Sequence, residues 1–398
     1  MSSPHSERIE AIDAYRALTM LLMLWVNDFP TLRDIPNWLK HQPAEADALG
    51  FSDIIFPIFL FVVGLSIPFA LSRRIERGDS PQSILRHIGE RSFALLLMGF
   101  FMVNLEYMPG EYTFAGRYFW QIAMIVAFIL IWNAYPQTSF SNTVAKLLQG
   151  LGYGILLGLA LIYRGPGEPV SWMQPYWWGI LGLIGWSYLI CALAYLALGK
   201  RLSYITMAWI FLMAFNIAEF AGLFEFLAPV TSYLWIVSGG SLPAIAMGGV
   251  FVSTLYLHQY ANGQNQRRYL RDLLIIGVSV LILGLLLRPA WGVSKIRATP
   301  AWTEICAGIG ILGYAFLYWL IDLRKIRRWW QPIKPAGTAT LTCYLTPYLY
   351  FAIATGFALG LPAVLNTGFF GLAKSMLYAL LIVGLTGLAG KARIRLRI

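Results

Sequence analysis

Apolar runs of about twenty residues recur along the whole chain, separated by short polar segments, and they constrain the fold before any motif is read. A bilayer core of about 30 Å takes roughly 20 helical residues to cross. Within it each backbone N–H and C=O has to find its partner inside the segment, which makes helices the structure for such runs. The runs lie near 11–29, 52–71, 89–105, 117–135, 143–163, 177–199, 202–221, 242–260, 271–289, 302–321, 337–357 and 370–388. They predict an all-α, polytopic integral membrane helix bundle of about 12 transmembrane helices (10–12), forming a single domain over 1–398. Composition agrees: 12% of residues are charged, against roughly a quarter in average chains. The N-terminal dozen residues carry Glu7, Arg8 and Glu10 without a small-residue cleavage signal, so the first run is expected to act as its own insertion signal.

A net charge of +11 could point to nucleic acid, but the position of the charge excludes that partner. The cations gather in short segments between apolar runs: Arg73 to Arg91, Lys200 and Arg201, Arg267 to Arg271, Arg324 to Lys334, and the tail KARIRLRI. With twelve spans all five fall on one side, which the positive-inside rule makes cytoplasmic. Both termini are then expected in the cytoplasm and the loop carrying His41 outside. Arg288, Lys295 and Arg297 fall on the outer side, where an anionic ligand or partial burial would account for them. WMQPYWW (172–178) fits an interfacial aromatic belt, and GLGYGILLGLA (150–160) reads as a close helix-packing segment. Cys191, Cys306 and Cys343 lie inside apolar runs with no paired spacing, so they read as core thiols, with no metal site and no disulfide framework.

Polar groups are expensive at membrane depth and therefore pose a functional question. The first two runs, RIEAIDAYRALTMLLMLWVNDFP and FSDIIFPIFLFVVGLSIPF, carry Asp13, Arg16, Asn27, Asp28 and Asp53 at their ends, with His41 in the loop between them. His41 is the histidine set apart: His5 is near the N-terminus, His87 lies among arginines, and His258 ends a run. A histidine can take a proton from an amine or hydroxyl, or accept an acyl group itself; the alternative is a solvated loop residue. Asn27 is suited to polarising a carbonyl, or equally to capping a helix C-terminus. Asp28 and Asp53 are candidates to orient His41, and Asp53 also to cap the second helix. Arg16 stands eleven residues before Asn27, about 16 Å along a helix, so a phosphate at one and an acyl group at the other would need a carrier with a long arm. Arg91 is a second anion-binding candidate, and snorkelling to the interface is the alternative for both arginines. Lys295 precedes a later run and is a candidate for a pyrophosphate or carboxylate. Glu106 and Arg117 flank another outer loop and are expected to pair.

The order IDAYRALTM…VN, then KH in a loop, then SDIIFPIFLFVVGLSI resembles the bacterial relatives of the heparan-α-glucosaminide N-acetyltransferase family. GERSF (89–93), SKIRATPAW (294–302) and KPAGTATLTCYL (334–345) follow that family's later segments in order. The resemblance implies a multi-pass transferase of the bacterial cytoplasmic (inner) membrane that moves an acetyl group from cytosolic acetyl-CoA to a sugar or glycan acceptor on the far side. It implies His41 and Asn27 as catalytic residues and Arg16 and Arg91 as donor-binding residues, with the helices of 11–135 as the catalytic part; the reading of the residues adds Asp53 to the first set and Lys295 to the second. It also admits a homodimer. The chain departs from the family pattern at Ala17, in QPAEAD after His41, at Gln121-Ile122, and in about three extra spans over 143–221. A secondary transporter of a small polar or anionic solute is the alternative, although transporters usually bind near the midplane and the ionisable groups here concentrate at helix ends.

Overall fold

The computed structural model describes residues 9–109, 116–135, 140–231, 239–260, 265–356 and 362–398. Twelve long helices stand where the apolar runs lie. They are α1 (Glu10–Asn27), α2 (Phe51–Glu76), α3 (Pro81–Tyr107), α4 (Gly116–Trp132), α5 (Asn142–Leu161) and α6 (Ile180–Leu198), followed by α7 (Leu202–Phe220), α8 (Ser241–Gln259), α9 (Gln266–Trp291), α10 (Pro300–Leu317), α11 (Thr340–Gly356) and α12 (Gly368–Lys391). Local chemistry starts several of them. Ser80 and Ser141 accept from the backbone N–H of Ser83 and Val144, and Thr299 does the same for Trp302 just ahead of Pro300.

Among the described residues nine helices are long and apolar enough to cross a membrane. The other three are α1, α4 and α11. Helices α4 and α11 have 17 described residues each, the first beginning and the second ending where the described residues stop. Helix α1 has 18 residues but carries Glu10, Asp13 and Arg16 in its first half. The structure is otherwise helical as expected, and among the described residues the extended pairing is confined to two isolated bridges, Arg33 with Thr367 and Asn133 with Leu396.

Helices α1, α2, α8 and α10 form the centre, while α5, α7, α9 and α12 turn rows of large apolar side chains outward, such as Leu147, Leu151, Leu157 and Leu161 on α5. The close crossing that holds the centre is α2 against α8. A Cβ on Gly64 would lie 1.8 Å from the Ala246 carbonyl oxygen, and one on Gly249 would lie 2.1 Å from that of Phe61. Nothing larger than hydrogen fits at either position. The glycine-rich stretch of α5 behaves differently from its sequence reading. Only Gly152 packs tightly there, against Ile131 and Ala127, while Gly150, Gly154 and Gly158 face open space.

Candidate functional site

Helix α1 runs between two cavities. At its first half, Arg16 lines a cavity of about 380 Å³ together with Arg74 on α2, His87 and Arg91 on α3, and Arg395 and Arg397 of the C-terminal tail. Five arginines thus face one space whose lining contains no Asp or Glu. Two have carboxylate partners outside the cavity wall: Arg16 donates to Asp13 at 3.2 Å and Arg74 to Asp79 at 3.0 Å. Arg16 also donates to the Ser66 hydroxyl at 2.5 Å. Arg91 lies over the Tyr188 ring, 4.7 Å from its centroid, and its Nε is buried with no hydrogen-bond partner among the described residues. Deeper in, the walls become apolar with Met20, Met23, Phe59 and Val63.

At the far end of α1, Asn27 lines a second cavity of about 270 Å³ with His41, Lys295, Trp178 and Trp302. Met23 and Ile180 line both cavities, so the apolar throat of the first abuts the polar end of the second. Asn27 is the last helical residue of α1, with its side chain exposed. The cap position belongs to Asp28 in right-handed geometry, so Asn27 is not the left-handed C-cap that its residue type permits.

His41 and Asp53 meet across twelve residues of chain: His41 Nδ1 lies 2.7 Å from Asp53 Oδ1. A carboxylate only accepts, which assigns the proton to Nδ1 and leaves Nε2 as the free acceptor. Asp53 Oδ2 accepts from the backbone N–H of Gln42 at 3.1 Å and of Gly50 at 3.0 Å. One carboxylate therefore caps the start of α2, closes the loop and holds the imidazole. The two partners differ in exposure: the Asp53 side chain is 2% exposed and that of His41 40%. Gly50 is required by the same turn, since a Cβ there would fall 1.9 Å from the Lys40 carbonyl oxygen. Lys295 Nζ stands 3.2 Å from His41 Nδ1. With that nitrogen protonated toward Asp53, the lysine is an electrostatic neighbour that completes an Asp53–His41–Lys295 cluster. Burial holds the Lys295 ammonium below the usual lysine range, against the opposing pull of Asp53.

The segment QPAEAD explains how Lys295 reaches this place. Asp47 accepts from Arg288 Nε at 2.9 Å and from the Val293 N–H at 2.7 Å. Ser294 Oγ donates to the Ala44 carbonyl at 3.0 Å, and Ala48 N–H to that of Val293 at 3.2 Å. The loop after His41 is thereby docked on the turn between α9 and α10. Of the three cations that the charge rule left over, Arg288 serves this dock, Lys295 faces His41, and Arg297 lies over the Phe220 ring at 5.9 Å.

The other candidates sort as follows. Asp28 does not orient His41: it accepts from Lys374 Nζ at 2.9 Å, from the Ser375 hydroxyl, and from Thr31. Glu106 and Arg117 line a third cavity of about 460 Å³ that also includes Asn27, Gln121, Trp178 and Tyr348, and no ion pair joins the two among the described residues. Arg16 and Arg91 share the first cavity, whereas Lys295 belongs to the second. Trp178 was readable only as part of an aromatic belt. It lines both the second and the third cavity, four residues after Gln174, which exchanges hydrogen bonds with Asn104 at 2.9 and 3.0 Å.

Comparison with known proteins covers the first part of the chain. Residues 8–238 match the family model described as heparan-alpha-glucosaminide N-acetyltransferase, catalytic. The chain is similar to heparan-alpha-glucosaminide N-acetyltransferase of Homo sapiens, 26% identical over 192 residues that make up 42% of this chain and 28% of that protein. To the Mus musculus protein of that name it is 26% identical over 201 residues, 44% of this chain and 29% of the relative. The alignments therefore span less than a third of the curated relatives' length. Lys295, Arg395 and Arg397 all lie beyond the residues that the family model matches.

Proposed function

The chain belongs to the heparan-alpha-glucosaminide N-acetyltransferase family, and from that premise we propose that it transfers an acetyl group across a membrane, from cytosolic acetyl-CoA to an amine or hydroxyl of a sugar or glycan on the other side. The observation that carries this reading is the shared wall of Met23 and Ile180, which sets the arginine cavity beside the cavity lined by Asn27 and His41. Arg16 and Arg91 hold the phosphates of the donor. The pantetheine arm lies along Met20, Met23, Phe59 and Val63, and the thioester carbonyl arrives at Asn27, whose amide N–H₂ donates to its oxygen.

In the transfer, the acceptor nitrogen or oxygen attacks the thioester carbonyl carbon while His41 Nε2 takes its proton. Asp53 keeps Nδ1 protonated and the ring in place throughout. As the tetrahedral centre collapses, the C–S bond breaks and the departing CoA sulfur takes a proton from the imidazolium. The charge on the oxygen of that centre is met by Asn27, and Lys295 adds positive charge at the same cavity. The same Nε2 is the atom that would carry the acetyl group in a two-step route. Brief exposure to labelled acetyl-CoA without acceptor, followed by rapid quenching, distinguishes the two by whether label stays on the protein. The relatives' names specify a glucosaminide; the altered QPAEAD loop lies beside the acceptor end, so the acceptor here is stated only as a sugar or glycan. The test is acetyl-CoA turnover by purified protein against a panel of amino sugars, glycan fragments and polyols, with wild type and His41→Ala. Turnover by the wild type that persists in His41→Ala would sink the mechanism.

A further inference from the structure

The arginine cavity contains two cations from an unexpected place. Arg395 and Arg397 follow α12 in an extended tail that is pinned by backbone to the rest of the bundle. Arg395 N–H donates to Asn133 Oδ1 at 2.8 Å, Leu396 N–H to Thr342 Oγ1 at 3.0 Å, and Arg397 N–H to the Trp132 carbonyl at 2.9 Å. The Ala134 N–H returns a bond to the Arg395 carbonyl at 2.9 Å. Leu396 is buried, whereas Arg395 is half-buried and Arg397 exposed. This is the two-residue alternation of an extended segment, and it keeps both guanidinium groups off the packed side. Arg395 also donates to the Thr338 carbonyl. Burial and the charge of Arg397 both press the Arg395 guanidinium below its usual range. Neither arginine has a carboxylate partner among the described residues. With Arg16, Arg74 and Arg91 they make five cations around one space with no Asp or Glu in its lining, and such crowding costs energy that a bound polyanion recovers.

We propose that the tail is a built part of the donor site, and that Arg395 and Arg397 bind the phosphates of the nucleotide half of the acyl-CoA. This rests on the donor reading above and goes beyond it, since it assigns donor discrimination to a segment outside the matched family region. A single phosphate is satisfied by two or three guanidinium groups; five suit a ligand with several phosphates spread across the opening. Arg16 and Arg91, at the throat, then serve the phosphate nearest the pantetheine arm, and the tail serves the adenosine end.

The experiment is calorimetric titration of the full chain in zwitterionic nanodiscs with two ligands, acetyl-CoA and acetyl-4′-phosphopantetheine, which lacks the nucleotide. The expected result is that wild type binds acetyl-CoA more tightly. Arg397→Ala and Arg395→Ala each weaken acetyl-CoA about tenfold, as loss of a charge-assisted hydrogen bond does, while acetyl-4′-phosphopantetheine binds as before. Arg397→Lys recovers most of the loss. Unchanged binding of the shorter ligand doubles as the proof that the variants are folded. If wild type binds acetyl-CoA but the variants lose both ligands equally, or lose neither, the tail assignment is overturned and the donor reading stands. If wild type binds neither ligand, both fall together.

Discussion

The two ends of α1 solve opposite electrostatic problems. At the Arg16 end, five arginines are gathered around one space, and Asp13 and Asp79 pair with Arg16 and Arg74 from outside its lining. At the Asn27 end, the charges compensate one another: Asp53 meets His41, Asp47 meets Arg288, and Asp28 meets Lys374. An end with an excess of cations is suited to capturing an anion, while a compensated end is suited to holding one imidazole in a fixed orientation. Substitutions at the two ends should accordingly separate into binding effects and rate effects.

The largest expected effect is at the compensated end. His41→Ala should lower the transfer rate by roughly 10² to 10⁴-fold, with acetyl-CoA affinity kept, measured by steady-state turnover beside equilibrium binding. Asp53→Asn should follow at roughly 10 to 100-fold in rate, the usual cost of losing the partner that orients a functional histidine. A comparable fall in donor affinity in either variant would break the division between the ends. At the other end Arg91→Ala should raise KM for acetyl-CoA about tenfold with kcat nearly kept; a kcat defect of the same size would place Arg91 in the chemistry instead.

Two smaller effects sharpen the comparison through stability. Gly50→Ala pushes a methyl group into the Lys40 carbonyl and should cost about 1–3 kcal/mol, seen as a lowered melting temperature. It should also slow transfer, since the turn holds His41. Asp47→Asn should have the mildest consequence, a faster hydrogen exchange over 42–48. Hydrogen bonds from Arg288 and from the Val293 N–H, with the charge of Arg288, hold the Asp47 carboxyl below its usual 3.8. Its folded value lies under its unfolded one, so this tether is fully present above the ordinary carboxylate range and is lost as pH falls through the folded value. The protection factor over 42–48, in which the intrinsic pH dependence of exchange is divided out, should stay flat from neutral pH down to the ordinary carboxylate range and then fall. A fall near neutrality would assign the tether to another group.

Sequence by itself determined the local layer of this protein. Apolar runs near the length of a bilayer core specify helices at twelve places because the backbone has no other way to satisfy itself there. Helical rise alone separates Arg16 from Asn27. The pairing of His41 with Asp53 was legible as one of two options, because twelve residues of loop and a helix start limit where a carboxylate can sit. Tertiary structure decided the rest. It sent Asp28 to Lys374 and Ser375 on α12 and made tight packing out of Gly64 and Gly249 rather than the glycines of α5. It set Lys295 beside His41 across 254 residues and folded Arg395 and Arg397 into the cavity of Arg16. The physical reason is range. Helix formation and capping depend on neighbours within a few residues, whereas the meeting of distant charges depends on which helix faces pack, and no local pattern encodes that.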